Sequence, residues 1–182
     1  RDRLRMLSAV DRGLGRLVAA LEARGVLDET IVILTSDQGF FYGEFGLAQE
    51  RRLAYEPSVR IPLIVRYPSL VEAGTRPASL ASNVDIAPTL LELAGVAHPG
   101  SREGRAIAPL RGRSLGPLFE QPTARIHPVD AGFGVELFGR RAMREGDWKA
   151  LLEPPPFGSG RWELYDLAQD PGEARDLAAQ QP

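Results

Sequence analysis

The segment Thr30–Phe40, TIVILTSDQGF, decides how the chain folds. Ile31 to Leu34 are four consecutive apolar residues, three of them β-branched. They predict a strand covered on both faces, as in the parallel sheet of an α/β fold. A polar turn containing Asp37 and Gln38 follows this strand. Ligands bind beyond the carboxyl ends of the strands in open α/β sheets, so the turn is a candidate site.

The turn carries oxygen donors of the kind that hard cations bind. Asp37 offers a carboxylate oxygen and Gln38 an amide oxygen, which suit calcium or magnesium. We expect Gly39 to let the backbone turn sharply behind them. The alternative is an ordinary Asx-type turn that binds no metal. Calcium takes about six or more oxygen ligands, so further ligands have to come from elsewhere.

The composition excludes several classes of function. The 182 residues carry a net charge of −2, which provides no basic surface for nucleic acid or an anionic membrane. No apolar run approaches the ~18 residues of a membrane span. The chain has no cysteine, so it forms no disulfide and no thiolate metal site. Its two histidines, His98 and His127, are too few for a histidine cluster, and we expect each to be structural or solvent-facing.

The rest of the sequence predicts two parts, one of alternating helices and strands and one with an antiparallel sheet. Apolar residues at three- and four-residue steps predict an amphipathic helix over residues 3–24. A short apolar strand is predicted over residues 61–67, and a second helix begins with Asp85 as its N-cap. Residues 97–113 are rich in Gly, Pro and Arg and are interpreted as a linker. Beyond them, short segments between turn signals predict an antiparallel sheet.

The aromatic residues of this second part allow two interpretations. Trp148, Trp162 and Tyr165 are sufficient to build a platform on which a sugar ring stacks. At strand spacing such residues more often form cross-strand pairs in the core, which is the interpretation we favour.

Four phrases, in order along the chain, resemble the sulfatases of the alkaline-phosphatase-like superfamily. They are TIVILTSDQGFFYGEFGLAQERRLAYEPSVRIPLIVRYP, NVDIAPTLLELAGV, GRSLGPLF and ELFGRRAMREGDWKALLEPPPFGSGRWELYDLAQDPGEARDLA. The resemblance implies an α/β fold, the carboxyl-terminal part of an alkaline-phosphatase-like sandwich followed by a small antiparallel-sheet subdomain. Residues 1–100 correspond to the end of the catalytic domain and residues 101–182 to the subdomain.

The resemblance also implies roles for particular residues. Asp37 and Gln38 match the positions that ligate the divalent cation of the family, usually calcium. Arg51 matches the catalytic, substrate-binding cation that touches the sulfate, which is usually Lys, and Arg52 takes that role if the register is off by one. Arg holds a sulfate by bidentate hydrogen bonds but is a poor proton donor. The alternative for both arginines is a solvated basic loop. Phe45 is a further departure, since many relatives have His there.

The activity implied is hydrolysis of a small-molecule or sugar sulfate ester. The family nucleophile is a formylglycine, made from the first residue of a Cys/Ser-x-Pro-x-Arg motif, and this sequence contains no such motif. We therefore interpret the chain as a carboxyl-terminal fragment, inactive by itself, whose partner is the missing amino-terminal half. The resemblance suggests a periplasmic or secreted protein, and a cytoplasmic one stays open.

Two other functions remain compatible with the sequence. A phosphonate or phosphodiester hydrolase of the same superfamily shares the metal-binding half seen here. A degenerate, non-catalytic sulfatase-like binding domain is supported by the two departures, Arg51 for Lys and Phe45 for His. An upstream Asp-Asp pair with the nucleophile motif would argue against the degenerate domain.

Overall fold

The structure is a computed structural model that describes residues 2–47 and 52–181, with side chains from residue 4 onward. It divides into two compact units. One unit comprises Arg1–Leu34 with Leu63–Arg76, and the other comprises Thr35–Pro62 with Pro77–Pro182. The predicted domain boundary after residue 100 stays a prediction.

The first unit begins with one long helix. Helix α1 spans Asp2–Ala23, which confirms the helix predicted from the apolar periodicity. The chain leaves the helix through Gly25, whose φ of 69° lies in the left-handed region. The N–H of Gly25 donates to the carbonyl of Glu22 (2.8 Å), and the N–H of Val26 donates to the carbonyl of Leu21 (3.1 Å). This Schellman arrangement satisfies carbonyls that the end of a helix leaves open.

A pair of strands follows the helix. Strand β1, Val32–Thr35, pairs with strand β2, Leu63–Arg66, in a two-stranded sheet. Both strands were predicted, but the burial predicted for both faces of β1 was wrong. All four residues of β1 are only half-buried, and Ile64 of β2 is 58% exposed. Such burial needs a covering layer on each side of a wider sheet, whereas the described part of the chain pairs β1 with β2 alone.

The apolar face of α1 is largely exposed. Leu4, Leu7, Val10 and Leu17 are 69%, 55%, 59% and 65% exposed and follow one another at three-residue steps and then after one seven-residue gap. A stripe of this kind is the face with which a helix normally packs. Within residues 2–47 and 52–181, no helix is long and apolar enough to cross a membrane.

The second unit contains short helices, two 3₁₀ turns and two antiparallel sheets in its described part. The helices are α2 (Glu56–Val59), α3 (Ile86–Leu93) and α4 (Gly116–Glu120), and the 3₁₀ turns are Glu44–Gly46 and Asn83–Asp85. The strands are β3 (Ser101–Arg102), β4 (Arg105–Ala106), β5 (Gly132–Leu137), β6 (Arg140–Glu145), β7 (Trp148–Leu152) and β8 (Trp162–Asp166). The short hairpin β3–β4 lies inside the predicted linker.

Strands β5 to β8 form the antiparallel sheet predicted beyond the linker, in the order β5-β6-β7-β8. One face of this sheet is buried. Its buried side chains are Ala142, Lys149, Leu151 and Tyr165. Side chains alternate between faces along a strand, so Trp148 and Trp162 lie on the other face, 41% and 51% exposed. The predicted core pairing is therefore right for Tyr165 and wrong for both tryptophans.

The core joins this sheet to the segment that precedes α2. Its buried members are Phe41, Leu53, Ala54, Tyr55, Ala142, Leu151, Tyr165 and Leu167. Leu53 and Leu151 are only 2% and 0% exposed. Segment 53–55 is thereby fixed on the sheet, although about ninety residues separate it from β7 in sequence.

Candidate active site

The turn after β1 presents its carboxylate to solvent. Asp37 is exposed and Gln38 is half-buried. The backbone N–H of Gln38 donates to Oδ1 of Asp37 (2.9 Å), and the hydroxyl of Ser36 donates to the carbonyl of Gln38 (2.7 Å). These local bonds fix the turn, as in the Asx-type alternative, and they leave the Asp37 side chain accessible.

Gly39 is required by a close approach of two backbone segments. Its N–H donates to the carbonyl of Ser58 (2.6 Å). A Cβ atom at residue 39 would lie 2.0 Å from the carbonyl oxygen of Pro57. Its φ is not among the left-handed values of the chain. The expectation that Gly39 serves a sharp turn is therefore corrected: it makes room for α2.

Asn83 supports the turn from its other side. Its Nδ2 donates to the carbonyl of Ser36 (3.1 Å), the residue just before Asp37. The hydroxyl of Thr35 donates to the carbonyl of Pro62 (2.9 Å) and lies 3.4 Å from Oδ1 of Asn83. Sequence reasoning missed Asn83. The signal available was its place at the start of the phrase NVDIAPT.

Asp85 beside it is fully buried and structural. Its carboxylate accepts the backbone N–H groups of Ser82 (2.7 Å) and Arg113 (2.8 Å). Nε2 of His127 lies 3.0 Å from Oδ2 of Asp85. The predicted N-cap thus precedes α3, but its side chain ties three loops together instead of capping that helix. The structural role expected for His127 is confirmed.

Arg51, the predicted sulfate contact, lies outside the described residues. Arg52 is described and exposed, directly before the buried segment 53–55. Its contact with a substrate stays a prediction.

Phe45, which the resemblance marks as a departure from His, forms an aromatic stack. Its ring centroid lies 4.4 Å from that of Tyr55, with the planes 28° apart, and its edge approaches Phe41. Its φ of 56° is left-handed, which is uncommon for a residue with a side chain. The stack borders a groove of about 790 Å³ that Arg60 and Glu163 also line.

A buried ionic cluster holds the first turn of α2 on the sheet. Nζ of Lys149 lies 3.0 Å from Glu56 and 2.7 Å from Glu173, and Arg144 lies 3.6 Å from Glu56. The backbone N–H of Glu56 donates to Oε2 of Glu173 (2.6 Å). Burial raises the pKa of Glu173 above its ordinary value, and the Lys149 ammonium offsets part of that rise. Sequence reasoning missed this cluster.

Two tyrosines beside the cluster are also perturbed. Burial and a hydrogen bond to Glu163 (2.7 Å) raise the pKa of Tyr165. Burial and the Glu163 carboxylate likewise raise the pKa of Tyr55. Both phenols therefore stay neutral well into alkaline solution.

The described residues do not form a metal site by themselves. Among them, no group of three or more His, Cys, Asp or Glu side chains could hold a metal ion. The donors of Asp37 and Gln38 are of the kind that fits a hard cation. Two oxygen donors on one exposed turn can start such a site but cannot complete it.

Comparisons with known proteins point to one family. Residues 43–121 match the family described as N-sulphoglucosamine sulphohydrolase, C-terminal. The chain is similar to N-acetylglucosamine-6-O-sulfatase of Bacteroides thetaiotaomicron, at 36% identity over 178 residues, or 97% of this chain and 31% of that protein. It is also similar to the extracellular sulfatase SULF-1 homolog of Drosophila melanogaster, at 38% identity over 79% of this chain and 12% of that protein.

Two solved structures match nearly the whole chain. One is a protein in complex with its substrate D-glucosamine-2-N,6-O-disulfate, with a TM-score of 0.78 and 35% identity over 96% of this chain and 35% of that chain. The other is the phosphonate monoester hydrolase of Agrobacterium radiobacter, with a TM-score of 0.75 and 26% identity over 97% of this chain and 36% of that chain. The chain thus spans about a third of the length of these relatives.

Proposed function

We propose that the chain belongs to the sulfatase family, which its similarity to sulfatases supports, and that the complete protein hydrolyses sulfate esters. The observation that carries this proposal is the exposed carboxylate of Asp37, on a turn that Gly39 and Asn83 hold from both sides. This turn lies in a chain of which 97% aligns with a sulfatase at 36% identity.

Asp37 and Gln38 would hold the divalent cation, for which we propose calcium. A bound cation supplies Lewis-acid polarisation of sulfate oxygens. Asp37 is exposed and Gln38 is half-buried. An incoming ion can reach a ligand only if part of its side chain is exposed. The hydrogen bond from Gln38 N–H to Asp37 orients the carboxylate before the metal arrives, which lowers the cost of ordering it.

Arg51 is proposed to bind the sulfate group, with Arg52 as the alternative. A guanidinium stabilises negative charge on the sulfuryl group by fixed, oriented donors. The formylglycine nucleophile is proposed to come from a part of the protein outside this chain. This chain would then contribute part of the metal site and the anion-binding cation.

The substrate is proposed to be a sulfated sugar. One relative is named an N-acetylglucosamine-6-O-sulfatase, and one solved structure holds a glucosamine disulfate as its substrate. A relative named an extracellular sulfatase supports a location outside the cytoplasm.

A phosphonate monoester hydrolase is the second candidate function. Its support is the structural likeness at a TM-score of 0.75 over 97% of the chain. Sulfate and phosphonate esters both place charged oxygens around a tetrahedral centre, so the same cation and arginine serve either substrate.

The test compares both substrate classes on the complete protein. We expect glucosamine-6-sulfate to be hydrolysed faster than a phenyl phosphonate at equal concentration. Asp37→Asn should abolish turnover of both, whereas Asp130→Asn, which changes an exposed loop carboxylate in the same unit, should change neither. Faster phosphonate turnover favours the second candidate, and no turnover of either substrate contradicts the proposal of an enzyme.

A further inference from the structure

We propose that Lys149 is a positioning residue for the candidate metal turn. It acts through Glu56 and the first turn of α2, which holds Gly39 and thereby Asp37 in place. This inference rests on the proposed function, because it assigns the four-stranded sheet a part in shaping the cation site.

Lys149 is the only lysine among the 22 lysines and arginines of the chain. It is 2% exposed, on the buried face of β7. Its ammonium contacts two carboxylates, at 3.0 Å (Glu56) and 2.7 Å (Glu173). An ammonium is a compact charge that fits between two carboxylates, whereas a guanidinium is a wide planar fork. The one departure from arginine therefore coincides with a buried position between two carboxylates, where this compactness fits.

The cluster fixes α2 by its side chain and by its backbone. The Glu56 carboxylate is held by Lys149, while the Glu56 N–H donates to Glu173 at 2.6 Å. Both glutamates are buried, at 7% and 2% exposure. Because separating buried opposite charges is unfavourable, movement of Glu56 away from Lys149 is costly, although Arg144 also lies 3.6 Å from Glu56.

The helix turn in turn fixes the candidate metal turn. Ser58, which is 4% exposed, accepts the N–H of Gly39 through its carbonyl. The Pro57 carbonyl lies so close that residue 39 has no room for a Cβ atom. Gly39 is two residues from Asp37 in sequence. A shift of α2 therefore has to move Gly39, and with it the backbone that carries Asp37.

Stability alone gives a poor reason for this cluster. Well-packed apolar residues in place of a buried ion pair are often neutral or stabilising. An ionic arrangement does, however, specify distance and direction more narrowly than apolar packing. Placement of the 56–58 turn is the property that such a cluster supplies here.

The experiment uses the complete protein and the variants Lys149→Met and Lys149→Arg. Leu118→Ala is the matched control, because Leu118 is 7% exposed on α4 and lies outside the ionic cluster. One measurement is hydrogen exchange of the Gly39 amide without added metal. The other is calcium affinity by titration calorimetry.

We expect Lys149→Met to speed exchange at Gly39 and to weaken calcium binding by about tenfold or more, as for other groups that orient ligands. Leu118→Ala should lower the melting temperature and change neither quantity. Lys149→Arg retains the charge and should fall between the wild type and Lys149→Met. It also provides the same measurements if Lys149→Met does not fold.

The possible outcomes separate the two proposals. Equal Gly39 exchange in the wild type and both Lys149 variants overturns the positioning role. So does calcium affinity that the Lys149 variants leave unchanged. A wild-type protein that binds no calcium overturns the proposed metal site, while faster Gly39 exchange in the variants would still support the link from Lys149 to the turn.

Discussion

Asp37 is the residue on which the proposed chemistry depends most. It follows a strand, it is exposed, and one of its oxygens already accepts the N–H of Gln38. The exposed carboxylate is therefore accessible to an incoming ion without a change of fold. The adjacent Gly39 shows how the turn is held, since α2 leaves no space beside it.

Replacement of Asp37 should remove calcium from the complete protein. Asp37→Asn keeps the shape of the side chain but removes the charge that attracts a hard cation. We expect the bound calcium to fall below that of the wild type in elemental analysis, and the affinity to weaken. Equal stoichiometry and affinity in the two proteins would refute the proposed ligand.

Replacement of Arg51 should slow the reaction itself. If its guanidinium stabilises charge in the transition state, Arg51→Ala lowers kcat and kcat/KM together by ~100-fold or more. Arg51→Lys should retain part of the rate because the charge remains. Arg52→Ala is the control for register: an inactive Arg52→Ala beside a nearly normal Arg51→Ala would move the role by one residue.

A methyl group at residue 39 should destabilise the protein. Gly39→Ala places a Cβ atom 2.0 Å from the Pro57 carbonyl, so backbone has to shift, at a cost of about 1–3 kcal/mol. Gly13→Ala is the matched control, because Gly13 lies in α1 with open space around it and Ala favours a helix by about 1 kcal/mol. Thermal unfolding should show opposite shifts. A stable Gly39→Ala protein would contradict the close approach.

At the scale of elements, a buried ionic and apolar interface joins the sheet β5–β8 to helix α2 and the segment before it. The buried face of the sheet carries Lys149 toward Glu56, and Leu151 and Tyr165 pack with segment 53–55. The open face carries both tryptophans. The buried face also includes Tyr165, whose pKa is raised by burial.

Alkaline solution should unfold this element through its buried phenols. The pKa of Tyr165 is raised in the folded state, so the unfolded state loses its proton first, at the ordinary value of about 10. The folded state then binds more protons, and the free energy of unfolding falls as pH rises above that value. Tyr165→Phe should flatten this fall in urea unfolding at a series of pH values. An unchanged slope would contradict the raised pKa.

At the scale of the whole molecule, the chain has much surface that an isolated domain would bury. Leu4 and Leu17 of α1 are 69% and 65% exposed, and strand β1 is only half-buried. The chain covers 31% of one sulfatase relative. Large exposed apolar surfaces mark sites of contact or aggregation. We therefore infer that these surfaces pack against other parts of a longer protein.

The isolated 182-residue chain should be catalytically silent and prone to aggregate. Two oxygen donors bind calcium weakly, because a hard cation gives up its water only when most of its ligands are in place. The assay uses an aryl sulfate with excess calcium, beside the complete protein as the positive control. Turnover that survives purification and disappears in Asp37→Ala would show that the chain needs no outside nucleophile.

Sequence reasoning worked where the signal was local. The helix of α1, the strands β1 and β2 and the antiparallel sheet follow from periodicity and turn residues, which act over a few positions. The phrase around Asp37 likewise marked the family. The predicted roles of Arg51 and Arg52 stay predictions, since the first lies outside the described residues.

Local pattern failed where a residue's surroundings come from distant parts of the chain. In β7, the alternation of Trp148, Lys149 and Ala150 favours an exposed lysine, yet Lys149 is the buried one. Its partner Glu56 lies 93 residues away. Paired charges inside a protein invert the usual inside–outside rule, and only the partner's position reveals it.

The sequence by itself thus predicted α1, β1, β2, α3 and the four-stranded sheet, the resemblance to the sulfatases and the candidate carboxylate on the turn. The tertiary structure alone decided which face of the sheet is buried, why residue 39 is glycine and which carboxylates pair with Lys149. The physical reason is the distance along the sequence between the residues that set each property. Periodicity, turns and motifs are properties of neighbouring residues, whereas burial, close backbone approach and charge pairing depend on segments that meet only after the chain has folded.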